Sequence, residues 1–263
     1  MFKNFVNSPA VATQRFFIEL AYDGTNYHGW QVQPNAITVQ EVLDNALATV
    51  LRQPIETTGC GRTDTGVHAK EFFAHFDLEV EEEFIDDGSW SMEKVRSLNA
   101  VLPADIAIKN IIPVSADAHA RFDATLRSYE YHIHFNKDPF KQNYSWLIRD
   151  QPDMEAMNKA AQLIMEFTDF SCFSKSNTQV KTNNCKISRA EWVRTDDGIV
   201  FHISADRFLR NMVRAIVGTL LQIGRHEIEP WQVKLIIQSK NRSKAGTSVP
   251  ACGLYLTEVK FTP

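Results

Sequence analysis

The feature that most constrains this chain is a change in its apolar periodicity, made twice in the same order. Segments repeating every two residues alternate with segments repeating every 3.6, first over residues 15–114 and again over 128–262. Period two buries one face of a strand, and period 3.6 buries one stripe of a helix. RFFIELAYDG (15–24) predicts a strand closed by a turn. TVQEVLDNALATVL (38–51) predicts an amphipathic helix opened by a Thr38–Glu41 capping box. IETTGCG (55–61), FFAHFDLEV (72–80) and IAIKNIIPV (106–114) predict strands, and SMEKVRSLNAVL (91–102) a helix stopped by Pro103. The second round has a strand at SYEYHIHF (128–135), a helix at 154–167 and a hairpin over 188–205. Helices at FLRNMVRAIVGTLLQIG (208–224) and PWQVKLIIQS (230–239) and a last strand at LYLTEVKFT (254–262) complete it. Two successive α+β units are expected, 15–115 and 116–263, behind an N-terminal extension of residues 1–14. The polar stretch KSNTQVKTNNCK (175–186) reads as a long loop.

Composition narrows the function classes. No apolar run approaches membrane-spanning length, and the N-terminus lacks the apolar core of a secretory signal. Four scattered cysteines without a CxxC pair argue against a disulfide framework or zinc knuckle, so a cytoplasmic protein is expected. The formal net charge is −4, but it is unevenly spread. Residues 77–93 carry eight acids and no Lys or Arg, whereas 205–244 carry eight bases against three acids, a net of +5. Such polarity lets an acidic chain hold a polyanion on one side.

TTGCGRTDTGVHAKEF (57–72) concentrates the candidate chemistry, with Asp64 at its centre. Cys60 reads as a small residue entering a tight loop, since no base is visibly paired with it. Asp64-Thr65-Gly66 spells the aspartic-protease triplet, but that chemistry needs two facing carboxylates, and no second DTG or DSG exists. A metal site from Asp64, His68 and His75 fits no standard ligand spacing. A capping aspartate in a glycine turn is the plainest reading. Arg62, two residues away, instead suggests an anionic ligand held beside a working carboxylate. A carboxylate acting on a nucleic-acid base would also need a stacking aromatic and a basic surface. Tyr129 and Tyr131 alternate along one predicted strand face, where half-buried packing would explain them equally well. Arg207, Arg210 and Arg214 fall at i, i+3 and i+7 of the predicted helix. Arg214, flanked by apolar residues, is expected to need a carboxylate partner.

With these residues the chain resembles the tRNA pseudouridine synthase A family. GRTDTGVHA (61–69) resembles that family's catalytic loop and YDGTNYHGWQ (22–31) its N-terminal signature. NAVLPADIAI (99–108), HARFDATLRSYEY (119–131), FLRNMVRAIVGTLLQIGR (208–225) and GLYLTEVKF (253–261) follow in family order. The resemblance spans residues 15–262. It implies an α+β fold of two similar halves, their mainly antiparallel sheets joined across a central active-site cleft. It implies that Asp64 is the catalytic aspartate, that Arg62 contacts the RNA backbone and holds the target flipped out, that Tyr129 stacks on the uracil and that Arg214 ion-pairs with Asp64. Arg207 and Arg210 would serve substrate binding. The reaction would be uridine to pseudouridine at positions 38, 39 and 40 of tRNA, in the cytoplasm, by a homodimer with no metal or other cofactor. The chain departs from the family at Cys60 and Thr65, where alanine is frequent. It departs again at Glu130, where a basic residue is frequent, which thins the basic footprint.

Overall fold

The computed structural model describes residues 11–81, 84, 86–174 and 182–262. Among them, nine strands form one sheet in the order β4-β1-β3-β9-β5-β8-β7, with β2 added beside β3 and β6 beside β5. The first half supplies β1 (Val11–Tyr22), α1 (Val39–Leu51), β2 (Thr58–Gly59), β3 (His68–Glu81), α2 (Ser89–Val101) and β4 (Ile106–Val114). The second supplies β5 (Ala124–His134), β6 (Trp146–Leu147), α3 (Met154–Ile164), β7 (Ile187–Arg194), β8 (Gly198–Ala205), α4 (Met212–Gly224), α5 (Gln232–Gln238) and β9 (Leu254–Phe261). The pairings are antiparallel except β3–β9 and β5–β6. The fold is therefore α+β with a mainly antiparallel sheet.

Alternation explains the inner face. Phe16, Ile18, Leu20 and Tyr22 of β1 and Phe72, Ala74, Phe76 and Leu78 of β3 are buried at every second position. They share one apolar core with Val39, Leu43 and Leu47 of α1 and Leu98 of α2. A second core gathers Tyr131 and Ile133 of β5, Phe201 and Ile203 of β8 and the buried faces of α3, α4 and α5. Strand β9 feeds both: Leu254 lies in the second core, Leu256 and Val259 in the first. Tyr129 packs against both cores, at the seam between them.

The elements differ from the expectations where backbone contacts decide. Strand β1 begins at Val11, because residues 11–14 pair with Leu78–Glu81 of β3. Strand β2 keeps only two residues, since Thr57 is taken up instead by the Asp44 carboxylate, through N–H (3.1 Å) and hydroxyl (2.7 Å). Helix α4 begins at Met212, not at 208, because Asn211 has a left-handed φ of 66° and its amide donates to Ser248. Arg207 and Arg210 thus precede the helix, and the expected three-arginine helical stripe does not form. Of the stretch read as a long polar loop, residues 175–181 lie outside the described residues, as do residues 1–10 of the N-terminal extension.

Candidate active site

Asp64 sits on a turn built by the segment Tyr22–Trp30. Trp30 N–H donates to the Thr63 carbonyl at 3.3 Å, and the Tyr22 hydroxyl meets that of Thr63 at 2.9 Å. Gly66 N–H donates to the Tyr27 carbonyl at 3.3 Å, and Val67 N–H to that of Asp64 at 3.1 Å. Gly29 makes this approach possible: a Cβ there would stand 2.4 Å from the Thr63 carbonyl oxygen, at a φ of 88°. Gly66, at φ 77°, supplies the turn itself. The two motifs are one structural unit, a cradle and the loop it holds. The indole of Trp30 stacks on Phe72 at 4.2 Å and anchors the unit in the first core.

Two guanidinium groups face the Asp64 carboxylate. Arg214 Nη1 lies 3.6 Å from Oδ2 and Arg210 Nε lies 3.7 Å from Oδ1. Among the described residues no donor hydrogen-bonds that carboxylate. The two cations stand beside the carboxylate without occupying its oxygens, which stay open to a reacting atom. The side chains of Asp64 and Arg214 are 25% and 20% exposed, that of Arg210 61%. Arg214 is aimed by a carbonyl: its Nε donates to Val249 O at 2.7 Å, and Val249 N–H returns a bond to Arg214 O at 3.3 Å.

The other expected site residues are placed as follows. Tyr129 is half-buried, with the Phe208 ring edge-on at 5.1 Å. Burial, with lesser contributions from Cys60 and Asp64, holds its hydroxyl well above the ordinary tyrosine range, so it stays neutral. Tyr131, on the same strand face, is fully buried and donates to the Pro250 carbonyl at 2.8 Å; it is core. Arg62 is exposed, and partial burial followed by the charges of Arg121 and Arg210 lowers its pKa. Arg207 makes no ion pair with Asp64; its N–H donates to the Asp206 carboxylate at 2.7 Å. Glu130 points to the opposite sheet face, where His132 and Lys70 hold its carboxyl down at about 2. Its charge is absorbed there, away from Asp64. His68 Nδ1 lies 3.1 Å from Gly24 N–H and 3.0 Å from the Asp23 carboxylate, and His75 accepts from Ala120 N–H at 3.1 Å, so neither ring is directed at Asp64. Burial pushes the Cys60 thiol up to about 11, which leaves it an inert packing group.

One residue was not singled out from the sequence. Arg127 gathers four backbone carbonyls: Ala124 (2.6 Å) and Asp206 (2.8 Å) on Nη1, Cys60 (2.9 Å) and Arg121 (2.7 Å) on Nη2. It thereby ties the Asp64 loop to the β4–β5 connection and to the segment before α4. Its only sequence signal is its place two residues before Tyr129.

Comparison with known proteins places the chain in one family. A family model described as tRNA pseudouridine synthase matches residues 20–123 and 160–262. The chain is 50% identical over 252 residues to tRNA pseudouridine synthase A of Bacteroides fragilis, covering 95% of this chain and 98% of that one. It is 49% identical to the protein of that name from Parabacteroides distasonis, over 94% of this chain and 96% of that one. With the one from Clostridium acetobutylicum it shares 38% identity, over 93% and 98% respectively.

Proposed function

Since this chain belongs to the tRNA pseudouridine synthase family, we propose that it isomerises uridine to pseudouridine at positions 38, 39 and 40 of the anticodon arm of tRNA. The observation that carries the reading is the single carboxylate, Asp64, faced by the guanidinium groups of Arg210 and Arg214 and bound by no hydrogen-bond donor among the described residues. Isomerisation breaks the uracil N1–C1′ bond, turns the base and joins C5 to C1′. The C5 proton leaves to solvent and N1 gains one, so the product has the substrate's composition. An ionised Asp64 serves this by attacking ribose C1′ or uracil C6, or by taking a ribose proton. Holding an uncharged base through the cleavage calls for enclosure and stacking rather than for an acid–base pair. Tyr129, neutral and set at the seam between the cores, stacks on the uracil; Arg62 takes the backbone phosphate of the flipped nucleotide. Arg210 adds to the phosphate contacts from the rim of the site, and Arg207 extends them.

The expected division at residues 15–115 and 116–263 has two cores beside it, although the first core also takes in Ala120 and Ala124; Asp64 comes from one half and Arg214 from the other. The protein works as a homodimer, on the strength of the family resemblance. The cysteines are all free thiols, which fits a cytoplasmic enzyme. No helix among the described residues is long and apolar enough to cross a membrane.

Tritium release from tRNA labelled at uridine C5, with one target uridine per substrate, tests the reaction and its positions. Wild-type protein releases tritium from each substrate, whereas Asp64→Asn binds the tRNA and releases none. Turnover by Asp64→Asn near the wild-type rate would overturn the role given to Asp64.

A further inference from the structure

The connection between β4 and β5 ends in a turn fixed from both sides. Ala120 is fully buried, and its N–H donates to the buried His75. The ring Nδ1 of His119 accepts from the N–H groups of Arg121 (3.1 Å) and Phe122 (3.4 Å). Asp123 closes the turn. Its carboxylate accepts the His119 N–H at 2.6 Å, and its own N–H donates to the His119 carbonyl at 3.0 Å. On the other side the same nitrogen of Arg127 holds the carbonyls of Arg121 and Cys60. The turn is therefore fastened directly to the loop that carries Asp64.

The turn presents Arg121 and Phe122 to solvent. The Phe122 ring is 75% exposed, 4.2 Å from the ring of His119, with the Arg121 guanidinium 5.8 Å from its centre. A lone exposed phenylalanine is ordinary. This one stands beside converging positive charge: Arg121 and Arg210 both act on Arg62, and among the described residues no carboxylate pairs with Arg62 or Arg121. Arg210 has the Asp64 carboxylate at 3.7 Å, but Arg62 and Arg121 have no such partner among the described residues, and like charges brought together are costly unless an anion arrives to offset them. A cation and an exposed ring on a rigid turn match an unpaired nucleic-acid strand, whose phosphates take the one and whose bases stack on the other. A turn already ordered loses little entropy on binding.

We infer that the β4–β5 turn is a second grip on the RNA substrate. Arg121 takes a phosphodiester flanking the target nucleotide, and the Phe122 ring stacks on the base of a neighbouring unpaired nucleotide. The inference rests on the reading that the substrate is tRNA and extends it to residues outside the Asp64 constellation.

The test measures binding of an unmodified tRNA transcript by the full chain across a salt series, for wild type, Arg121→Gln, Phe122→Ala and Phe122→Trp. Phe122→Ala is expected to weaken binding roughly 5- to 150-fold, the range of one base–aromatic stack, without changing the salt dependence. Phe122→Trp is expected to bind within a few-fold of wild type. Arg121→Gln is expected to lower the slope of log Kd against log salt by about 0.7–0.9, one phosphate contact. KM for tRNA rises in step with Kd in the weakened variants. The grip is overturned if Phe122→Ala and Arg121→Gln both match wild type. It is overturned equally if Phe122→Trp loses as much as Phe122→Ala, or if Phe122→Ala changes only the mass of the protein in solution, which would assign the ring to a contact between copies. A wild-type protein that neither binds tRNA nor releases tritium would instead bring down the functional reading and the grip with it. A wild type that does both, with variants like itself, removes only the grip.

Discussion

At Asp64 the two guanidinium groups stand 3.6 and 3.7 Å away, beyond charge-assisted hydrogen-bond length, so they act through charge rather than by occupying its lone pairs. Their exposure divides their roles. Arg214→Ala is expected to lower kcat about 10²- to 10³-fold with tRNA affinity little changed, the scale of losing one electrostatic stabiliser at a reacting centre. Arg210→Ala is expected to weaken binding and flatten its salt dependence. Equal binding losses in the two variants, measured by salt titration and single-turnover kinetics, would remove that division. Arg127 acts further back, as a positioning residue. Arg127→Lys keeps the charge but loses the fork that reaches four carbonyls, so kcat is expected to fall about 10-fold or more while the unfolding midpoint moves by only a few degrees. An unchanged kcat would mean that the Asp64 loop holds its own shape. Its place two residues before Tyr129 does not reveal this role, because Cys60 and Asp206 reach it across 67 and 79 residues. Tyr129 and Tyr131 share one alternation pattern, and only the depth of the second, inside the core, tells them apart.

At the level of elements, what the sequence made legible is what neighbouring residues decide. Helix α1 starts where its capping signal says: Thr38 accepts from Glu41 N–H at 3.4 Å. Helix α4 does not, because its start depends on a left-handed Asn211 tied to Ser248, a residue brought near only by folding. The cradle formed by Tyr22–Trp30 was visible as a motif, but its use as a support for the Asp64 loop was not, since both partners are turns without periodicity. The buried His75 gives the first half a pH dependence. Burial lowers its pKa from 6.5 to about 4, so the unfolded chain takes up a proton that the folded one refuses. The stability it contributes is complete above pH 6.5 and is lost as pH falls toward 4, about 2 kcal/mol between pH 7.5 and 5. Asp44, pushed up to about 6 by burial, works in the opposite sense over the same range, so the comparison with a variant isolates the histidine. His75→Gln is expected to flatten the fall in stability between pH 7.5 and 5 in urea unfolding. An equally steep fall in the variant would rule His75 out as its source.

For the whole molecule, β9 is the shared piece. It pairs in parallel with β3 at His68↔Tyr255 and Ala69↔Leu256, runs antiparallel to β5, and gives Leu254 to one core and Leu256 and Val259 to the other. Removal of residues 254–263 is expected to unfold both halves together. Amide hydrogen exchange in β1 and β8 should then lose protection alike, whereas protection kept in β1 alone would show that the first half stands by itself. The repeated periodicity of the sequence reveals two units but cannot reveal this dependence, because a strand's partners lie outside its own pattern. The order of the chain adds a consequence for synthesis. The first half leaves the ribosome with an open place beside β3, and that place stays open until β9 emerges. A nascent chain whose Asp64 turn is already made still lacks the strand that sets the two cores against each other around Tyr129. The Asp64–Arg214 pair therefore forms only after the second half has been translated.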